Sequence, residues 1–373
     1  MKNYLIAALA VTLALVSCSK ADKTDPNQNA QKGPAAFEVL LPDDLEDIKL
    51  NYEKQDKTLA FEWDAEESMS YEAVFSLSED LSSAVSIALK NTGKDALTHS
   101  QLDDMLKKLG VKNYHAAEVW WAIRATDENG SSSFSETRSM NLLRFMAPFV
   151  DPRDNESYRV VRVVDPLTGD AAVWLADNLR ASKYSDGTAV ESSQIRFSTP
   201  ADDADSYHKE WCRLRGAYYS WSAAVRDTKK AADGEKVQGI APAGWHIATR
   251  DEWIFLINNQ PDNEVPAASM RTKDYWVETM TVSGNNSFGM NVVAGGYIWT
   301  ISDSTNAIIE SETNAFFWTS TEPKAGDEIP WNPDPANFPN QACVYNFLSN
   351  DNAIAYYVYD KTRGFNVRCV LDD

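Results

Sequence analysis

Apolar and polar residues are sharply separated in the first 36 positions. Leu5 to Val16 is an apolar run broken only by Thr12, and Lys2 supplies a positive charge before it. The run is too short for a permanent transmembrane helix, and its length and flank are those of a signal-peptide core. The polar stretch that follows cannot bury enough apolar surface to offset the entropy lost on ordering. We therefore predict a signal peptide over residues 1–17 and a disordered tether over residues 18–36.

Residues 37–146 show the period-two alternation that is typical of half-buried strands. Leu59, Phe61 and Trp63 point to one face, and their neighbours point to the other. Turn signals separate the strand that contains Leu59, Phe61 and Trp63 from further candidate strands. These lie at residues 37–41, 71–77, 84–89, 119–123 and 131–143. Short strands at such spacing predict a β-sandwich of the immunoglobulin or fibronectin kind.

One short helix is predicted among these strands. Leu102, Leu106 and Leu109 form an apolar stripe at helical spacing, and Gly110 is a stop signal. Ser100 is the expected N-cap, because a serine hydroxyl can accept a hydrogen bond from the first turn.

Residues 156–373 mix strands with short helices. Tyr158–Val164 and Ala171–Leu175 alternate on either side of a turn and predict a hairpin. Five further strands are expected in the last third of this segment. They lie at residues 291–296, 316–320, 342–348, 353–359 and 365–370. The fold class is therefore mostly β with short helices: a β-sandwich at 37–146, a linker at 147–155 and an α+β domain at 156–373.

A capped amphipathic helix stands out in the second segment. Thr249 and Glu252 have the spacing of a capping box, and Trp253 begins the apolar face that follows. We expect Trp245, just before the cap, to pack with Trp253 between this helix and a sheet. His246, beside Trp245, is expected to be a hydrogen-bonded structural residue rather than a base.

Composition narrows the possible functions. The 373-residue chain has a formal net charge of −20, which repels phosphate backbones and argues against nucleic-acid binding. It lacks the GxGxxG, HExxH and GxSxG patterns of nucleotide, zinc and hydrolase sites. The chain has 55 Asp and Glu residues, so the sequence does not exclude a pair of carboxylates placed for glycoside hydrolysis. No cofactor is expected. Gln260-Pro261-Asp262 is similar to a lectin calcium motif, but its position after the capped helix favours a turn.

The residues around Cys18 resemble a bacterial lipobox. Leu15-Val16-Ser17-Cys18 directly follows the apolar core. The resemblance implies that Cys18 is the lipid-modified first residue of a protein anchored to the outer membrane. Asp22 and Asp25 resemble a signal for export to the cell surface. The alternative is an ordinary signal peptide with an incidental cysteine.

A series of aromatic motifs runs through the second segment. It comprises Trp174, Asn178 and Arg180 in Trp-Leu-Ala-Asp-Asn-Leu-Arg, then Trp245, Trp253, Trp318 and Cys369 in later motifs. This order resembles the Fibrobacter succinogenes major paralogous domain and implies a C-type-lectin-like fold. We expect these residues to be scaffold, with Asn178 and Arg180 bonding loop backbone. The family's usual cysteine is Ala241 here, so Cys369 could pair with Cys343 or Cys212, or stay reduced and buried.

The first segment carries a second resemblance. Its Phe-x-Trp strand, its leucine-rich helix and the strand Val-Trp-Trp-Ala-Ile-Arg-Ala, residues 119–125, resemble the N-terminal module of SusE/SusF-type lipoproteins. The resemblance implies an outer-membrane protein of a glycan-uptake system, with this module as a spacer. Polysaccharide or oligosaccharide and an outer-membrane transporter complex are the expected partners.

Two loops are candidate ligand surfaces. The loop at residues 297–313 contains Trp299 among small polar residues, and the proline-rich loop at 324–340 contains Trp331, Asn332, Asp334 and Phe338. An exposed aromatic beside Asn or Asp acceptors favours non-catalytic carbohydrate binding. Alternatively, Trp331 covers the core edge. The competing hypotheses are an adhesive or structural protein that binds a protein partner, and an unrecognised hydrolase.

Overall fold

The computed structural model describes residues 36–199, 201, 203–232, 235–260, 265–277, 283–330 and 334–372. Cys18, Trp331 and Asn332 therefore lie outside the described residues. Most buried apolar side chains up to Leu142 form one core. Those from Tyr158 onward, together with Tyr114, form two larger clusters and a small one around Ile298. The predicted class, mostly β with short helices, is confirmed.

The first core lies between two sheets. The smaller sheet has the order β1-β3-β6, and the larger has the order β2-β9-β7-β4-β5 with β8 beside β7. The strands are β1 Val39–Leu41, β2 Glu46–Lys49, β3 Thr58–Trp63, β4 Ser70–Ser76, β5 Val85–Leu89, β6 Lys94–Thr98, β7 Ala116–Thr126, β8 Ser132–Phe134 and β9 Arg138–Leu143. Phe61 of β3 meets Trp121 of β7 edge to face, with ring centroids 5.3 Å apart. Alternate residues of the strands therefore point inward, and their side chains pack between the two sheets.

The helix of this module, α1 His99–Lys108, is capped by Thr98 and not by Ser100. The Thr98 hydroxyl accepts a hydrogen bond from the Gln101 amide at 3.1 Å, and the Gln101 side chain accepts one from the Thr98 amide at 2.8 Å. Ser100 lies within the first turn, and Asp103, three residues after it, accepts hydrogen bonds from Arg144 and not from the Ser100 amide.

Two larger sheets organise the second half, in the orders β12-β13-β23-β16 and β21-β20-β19-β22. Its strands are β10 Phe149–Val150, β11 Ser157–Tyr158, β12 Val160–Val164, β13 Ala171–Leu175, β14 Ile195–Phe197, β15 Ala217–Tyr219, β16 Trp245–Ile247, β17 Tyr297–Ile298, β18 Ile308–Ile309, β19 Asn314–Trp318, β20 Gln341–Leu348, β21 Ile354–Asp360, β22 Asn366–Val367 and β23 Cys369–Leu371. The helices are α2 Ser206–Leu214, α3 Trp221–Val225, α4 Thr228–Ala232, α5 Arg250–Asn258, α6 Pro266–Met270 and a 3₁₀ helix, Pro335–Asn340. The predicted hairpin is β12–β13.

Trp253 and Trp245 lie on opposite faces of the first of these sheets, which corrects the expectation that they pack together. Trp253 of α5 packs on Trp174, with centroids 5.2 Å apart. Trp245 of β16 faces the other way and packs on Phe149 at 5.2 Å and on Tyr114 of the first module at 6.3 Å. Successive strand residues point to opposite faces, so His246 is the β16 residue that faces α5.

The expected strand at residues 291–296 is wrong. The segment forms isolated bridges, from Val292 to Arg271 and from Gly296 to Ala315. Asn291 and Gly296 have positive φ angles of 47° and 66°, so the backbone cannot stay extended. Among the described residues, no helix is long and apolar enough to cross a membrane.

Candidate functional site

Trp299 is the most exposed of the described tryptophans, with 54% of its surface accessible. It directly follows β17, whose two residues pair with β18. The guanidinium carbon of Arg363 lies 3.7 Å from the centroid of the Trp299 ring. Because the arginine supports one face, the other face of the ring is presented to solvent.

Arg363 is only 9% exposed and lies among aromatic rings. Its guanidinium carbon is 5.2 Å from the centroid of Tyr359 and 5.5 Å from that of Tyr297. Its Nε and one terminal nitrogen have no hydrogen-bond acceptor among the described residues, so the ring faces are what they meet. Stacking between guanidinium and π-systems stabilises such an arrangement. This stacking therefore restricts the orientation of the three rings and of the guanidinium group.

Arg196 holds the loop that carries Trp299. Its guanidinium donates to the carbonyl oxygens of Ile301, Asp303 and Asn306. The Asp303 carboxylate in turn accepts a hydrogen bond from the Thr305 amide at 2.9 Å. A loop bonded in this way has little conformational entropy left to lose when a ligand binds.

The second predicted loop is only partly a surface. Asp334 caps the 3₁₀ helix and accepts a hydrogen bond from the Ala336 amide at 2.9 Å. Phe338 is only 9% exposed, so it is a buried side chain and not the exposed aromatic that was expected. The sequence could not show this, because the inward turn of Phe338 is set by the 3₁₀ geometry.

The turn between β21 and β22 brings the two loops together. Lys361 donates from its amide to Asn340 and from its ammonium to Pro339, both at 2.9 Å. Two residues later, Arg363 stacks on Trp299. The loop at 297–313 and the end of the loop at 324–340 therefore flank one turn, although neither is near it in sequence. We call Trp299, Arg363, Tyr297 and Tyr359 the Trp299 surface.

A cavity of about 860 Å³ lies elsewhere, between α5, strands β13 and β23, and His115 of the first module. Phe255 is the only Phe, Tyr or Trp among its described lining residues. Of its carboxylates, Glu252, Glu322 and Asp327 are in ion pairs. Burial alone would raise the pKa of Glu252, but hydrogen bonds from His246 and Thr249 outweigh it and lower the pKa to about 2. This carboxylate stays ionised, unlike the general acid that glycoside hydrolysis requires.

Two family models match the chain. Residues 170–371, more than half of the 373 residues, match the model described as Fibrobacter succinogenes major domain. The chain belongs to this family. Residues 22–124 match the model described as SusE outer membrane protein. Both resemblances expected from the motifs are confirmed, and the protein is placed at the outer-membrane surface. No curated protein matches the chain.

The motif residues of this Fibrobacter succinogenes major domain bond its own backbone. The Asn178 amide nitrogen donates to the Arg215 carbonyl at 3.1 Å, and Arg180 donates to the Arg213 carbonyl at 2.7 Å.

His246 bonds two carboxylates: Asp372 through Nδ1 at 2.6 Å and Glu252 through Nε2 at 2.7 Å. Burial would lower the pKa of His246, but these carboxylates raise it.

Cys212, Cys343 and Cys369 are all buried and free. Of the alternatives left open by the sequence, Cys369 takes the reduced, buried state. Burial raises the pKa of Cys343 to about 12 and raises that of Cys369 as well. Both are therefore protonated thiols, and neither is a reactive thiolate at neutral pH.

No group of metal-binding side chains occurs in the described part of the chain. Gln260, the first residue of the lectin-like tripeptide, is buried, and its side chain accepts a hydrogen bond from Ser269. Pro261 and Asp262 lie outside the described residues. Because the Gln260 side chain is buried and bonded to Ser269, its position does not support a calcium site at this tripeptide.

Sequence reasoning missed a second aromatic surface, on helix α2. Tyr207 and Trp211 are four residues apart on this helix, and both lie close to Tyr275. The Asp205 side chain caps the helix by accepting from the His208 amide at 2.8 Å. An acidic N-cap followed by aromatics at helical spacing was the signal that could have found it.

Proposed function

We propose that the protein is a non-catalytic glycan-binding component of a polysaccharide-uptake system. The observation that carries the proposal is Trp299, whose exposed ring is supported by Arg363 within a loop held by Arg196. An aromatic face binds the C–H-bearing face of a sugar ring and tolerates many sugar types. The match of the first module to the SusE model supports the same system.

Polar groups at the rim of the Trp299 surface can bond sugar hydroxyls. The Glu310 carboxyl is near enough to Arg363 for the guanidinium to lower its pKa, although burial, the larger effect, raises it. The side-chain amide of Asn314 donates to the Glu310 carboxylate at 2.8 Å and holds it at this rim. Hydrogen-bonding groups beside a hydrophobic platform are the combination that saccharides require.

The charge of the molecule narrows the ligand class. A net charge of −20 repels acidic polymers. We therefore expect neutral polysaccharide or oligosaccharide to bind in preference to uronate-rich glycans. An outer-membrane transporter is the proposed protein partner, and a lipid on Cys18 is the proposed anchor.

A glycan array tests the function. The chain from residue 19 onward, which keeps every hydrophobic cluster of the described residues, is compared with its Trp299→Ala variant. Phe134→Ala is the control, because Phe134 is a similarly exposed aromatic, at 47%, in the first module. We expect the unchanged chain and the Phe134 variant to bind the same neutral glycan, and the Trp299 variant to bind it at least about tenfold more weakly. Absence of binding by the unchanged chain, or equal binding by all three, would refute the proposal.

A further inference from the structure

We propose that Tyr207, Trp211 and Tyr275 form a second subsite for the same glycan chain, so that the protein binds internal stretches of long chains. These three residues are called the Tyr275 surface. The inference rests on the proposed function, because it extends the ligand of the Trp299 surface to a neighbouring region.

The Tyr275 surface, like the Trp299 surface, contains an aromatic ring that is stacked on an arginine. Tyr275 lies 4.8 Å from Tyr207 and 6.1 Å from Trp211 between ring centroids, and its ring is stacked on Trp211 at 18°. The guanidinium carbon of Arg215 lies 3.7 Å from the Trp211 centroid, as Arg363 does behind Trp299. Tyr207 is 47% exposed. Arg215 therefore supports the buried Trp211 ring, Tyr275 packs on that ring, and Tyr207 provides the exposed aromatic surface.

Tyr275 stands between two clefts of different chemistry. One, of about 420 Å³, is bounded by Tyr207, Trp211 and Glu312. The other, of about 350 Å³, is lined by polar side chains that include Asn285 and Lys273. A sugar stacked on the rings of the first cleft would have hydrogen-bonding partners within reach in the second cleft. This pairing of an aromatic wall with polar groups is what distinguishes a saccharide cleft from a patch of core.

The backbone of Tyr275 is held in an unfavourable conformation. Its φ angle is 69°, in the left-handed region that a bulky residue rarely adopts. The neighbouring Trp276 anchors the segment by donating from its indole to the Val292 carbonyl at 3.1 Å. Such strain persists where the surrounding structure holds a side chain in a required direction. Here that direction places the Tyr275 ring between the two clefts.

One short segment connects the two surfaces. Glu310 directly follows Ile309, which pairs with Tyr297 of the Trp299 surface, and the Glu312 carbonyl accepts a hydrogen bond at 2.7 Å from the amide of Val277, two residues after Tyr275. Both have positive φ angles, 55° and 75°, so the chain turns sharply between them. Two residues span at most about 7 Å. Both surfaces therefore adjoin the same short segment, and we expect one chain of several sugars to reach from one surface to the other.

Two subsites on one ligand predict a dependence on chain length. Once a long chain occupies one surface, its continuation is held near the other at high effective concentration. A short oligosaccharide can occupy only one surface and gains nothing from the second. The bound polysaccharide and its oligosaccharides of increasing length are therefore the diagnostic ligands.

Titration calorimetry with the chain from residue 19 onward tests the inference. Tyr207→Ala removes an exposed ring, and Tyr275→Asn removes the central ring with a residue that tolerates positive φ. We expect each to weaken polysaccharide binding about tenfold, or about 1.4 kcal/mol, and to leave the shortest bound oligosaccharide unaffected. Phe134→Ala is the control. Two variants are used so that misfolding of one leaves the other informative.

The outcomes separate this inference from the proposed function. If Trp299→Ala abolishes binding while both tyrosine variants match the unchanged chain at every length, the second subsite is refuted and the function stands. If the tyrosine variants weaken short and long ligands equally, the dependence on length is refuted. If the unchanged chain binds no glycan, the proposed function fails and the inference fails with it.

Discussion

Arginine side chains stack on aromatic rings at two places in the second half of the chain, on the exposed Trp299 and on the buried Trp211. Arg363 behind Trp299 and Arg215 behind Trp211 have the same 3.7 Å separation from ring centroid to guanidinium carbon. An aromatic ring that is stacked on a fixed cation has few alternative rotamers, and at Trp299 the exposed part of the ring is left for a ligand. Lysine would not replace arginine here, because an ammonium group lacks the planar surface that stacks.

The contact between His246 and Glu252 sets a pH range for stability. The pKa of Glu252 falls below its usual value, to about 2, so its stabilising effect is complete above about pH 4.5 and is lost as the pH falls through 2. The pKa of His246 is raised above 6.5, so its effect is complete below about pH 6.5 and is lost as the pH rises through the raised value. The contact is therefore strongest between about pH 4.5 and 6.5.

Glu252→Gln isolates this effect, because glutamine keeps the capping geometry and removes the charge. We expect the free energy of unfolding at pH 5.5 to fall by on the order of 1–3 kcal/mol, and the loss to shrink as the pH approaches 2. Urea titrations at several pH values measure it. Glu79→Gln, at an exposed carboxylate, is the control. Curves for Glu252→Gln that stay parallel to those of the unchanged chain would contradict the assignment.

At the scale of elements, the loop that carries Trp299 depends on a side chain from β14. Arg196 bonds three carbonyls of this loop, so Arg196→Gln releases its backbone. We expect faster amide exchange at residues 300–307 and glycan binding about threefold to tenfold weaker, because the loop must then be ordered on binding. Arg124→Gln, which breaks a half-buried ion pair with Glu72 in the first module, is the control. Unchanged exchange in the loop would refute the role of Arg196.

Elements with strong local signals were predictable from the sequence, and elements held by distant partners were not. The β12–β13 hairpin and the Thr249–Glu252 capping box follow from patterns a few residues long. Strand β6 was missed, because Lys94–Thr98 is largely polar and pairs with β3 along its whole length. The segment at 291–296 was predicted as a strand, but left-handed residues at both ends break it.

The candidate site was predictable only in part, for the same reason. An isolated tryptophan in a polar loop identified Trp299 as a candidate. Its support by Arg363 depends on a contact across 64 residues, and that of Trp211 depends on a helix that was missed. Residues that act through such non-local packing leave no periodic signal in the sequence.

At the scale of the whole molecule, the first module packs against the second through Trp245. Tyr114 of the first module belongs to the same core cluster as Trp245, and Phe149 fills the space beside them. Arg153 fastens the connecting segment by donating to the carbonyls of Lys183 and Ile240, both at 2.8 Å. Both aromatic surfaces belong to the second module. We therefore propose that the first module, residues 37–146, acts as a spacer that carries the binding domain at residues 156–373.

Fluorine NMR can observe Trp299 itself during glycan binding. The chain from residue 19 onward keeps all 12 tryptophans and can be labelled with fluorotryptophan, and a Trp299→Phe variant assigns the Trp299 resonance. When the glycan selected by the array is added, the fluorine resonance of Trp299 should shift and saturate with the affinity measured by calorimetry. The resonances of buried rings such as Trp174 and Trp253 should stay in place. A saturated complex in which the Trp299 resonance has not moved would contradict the account.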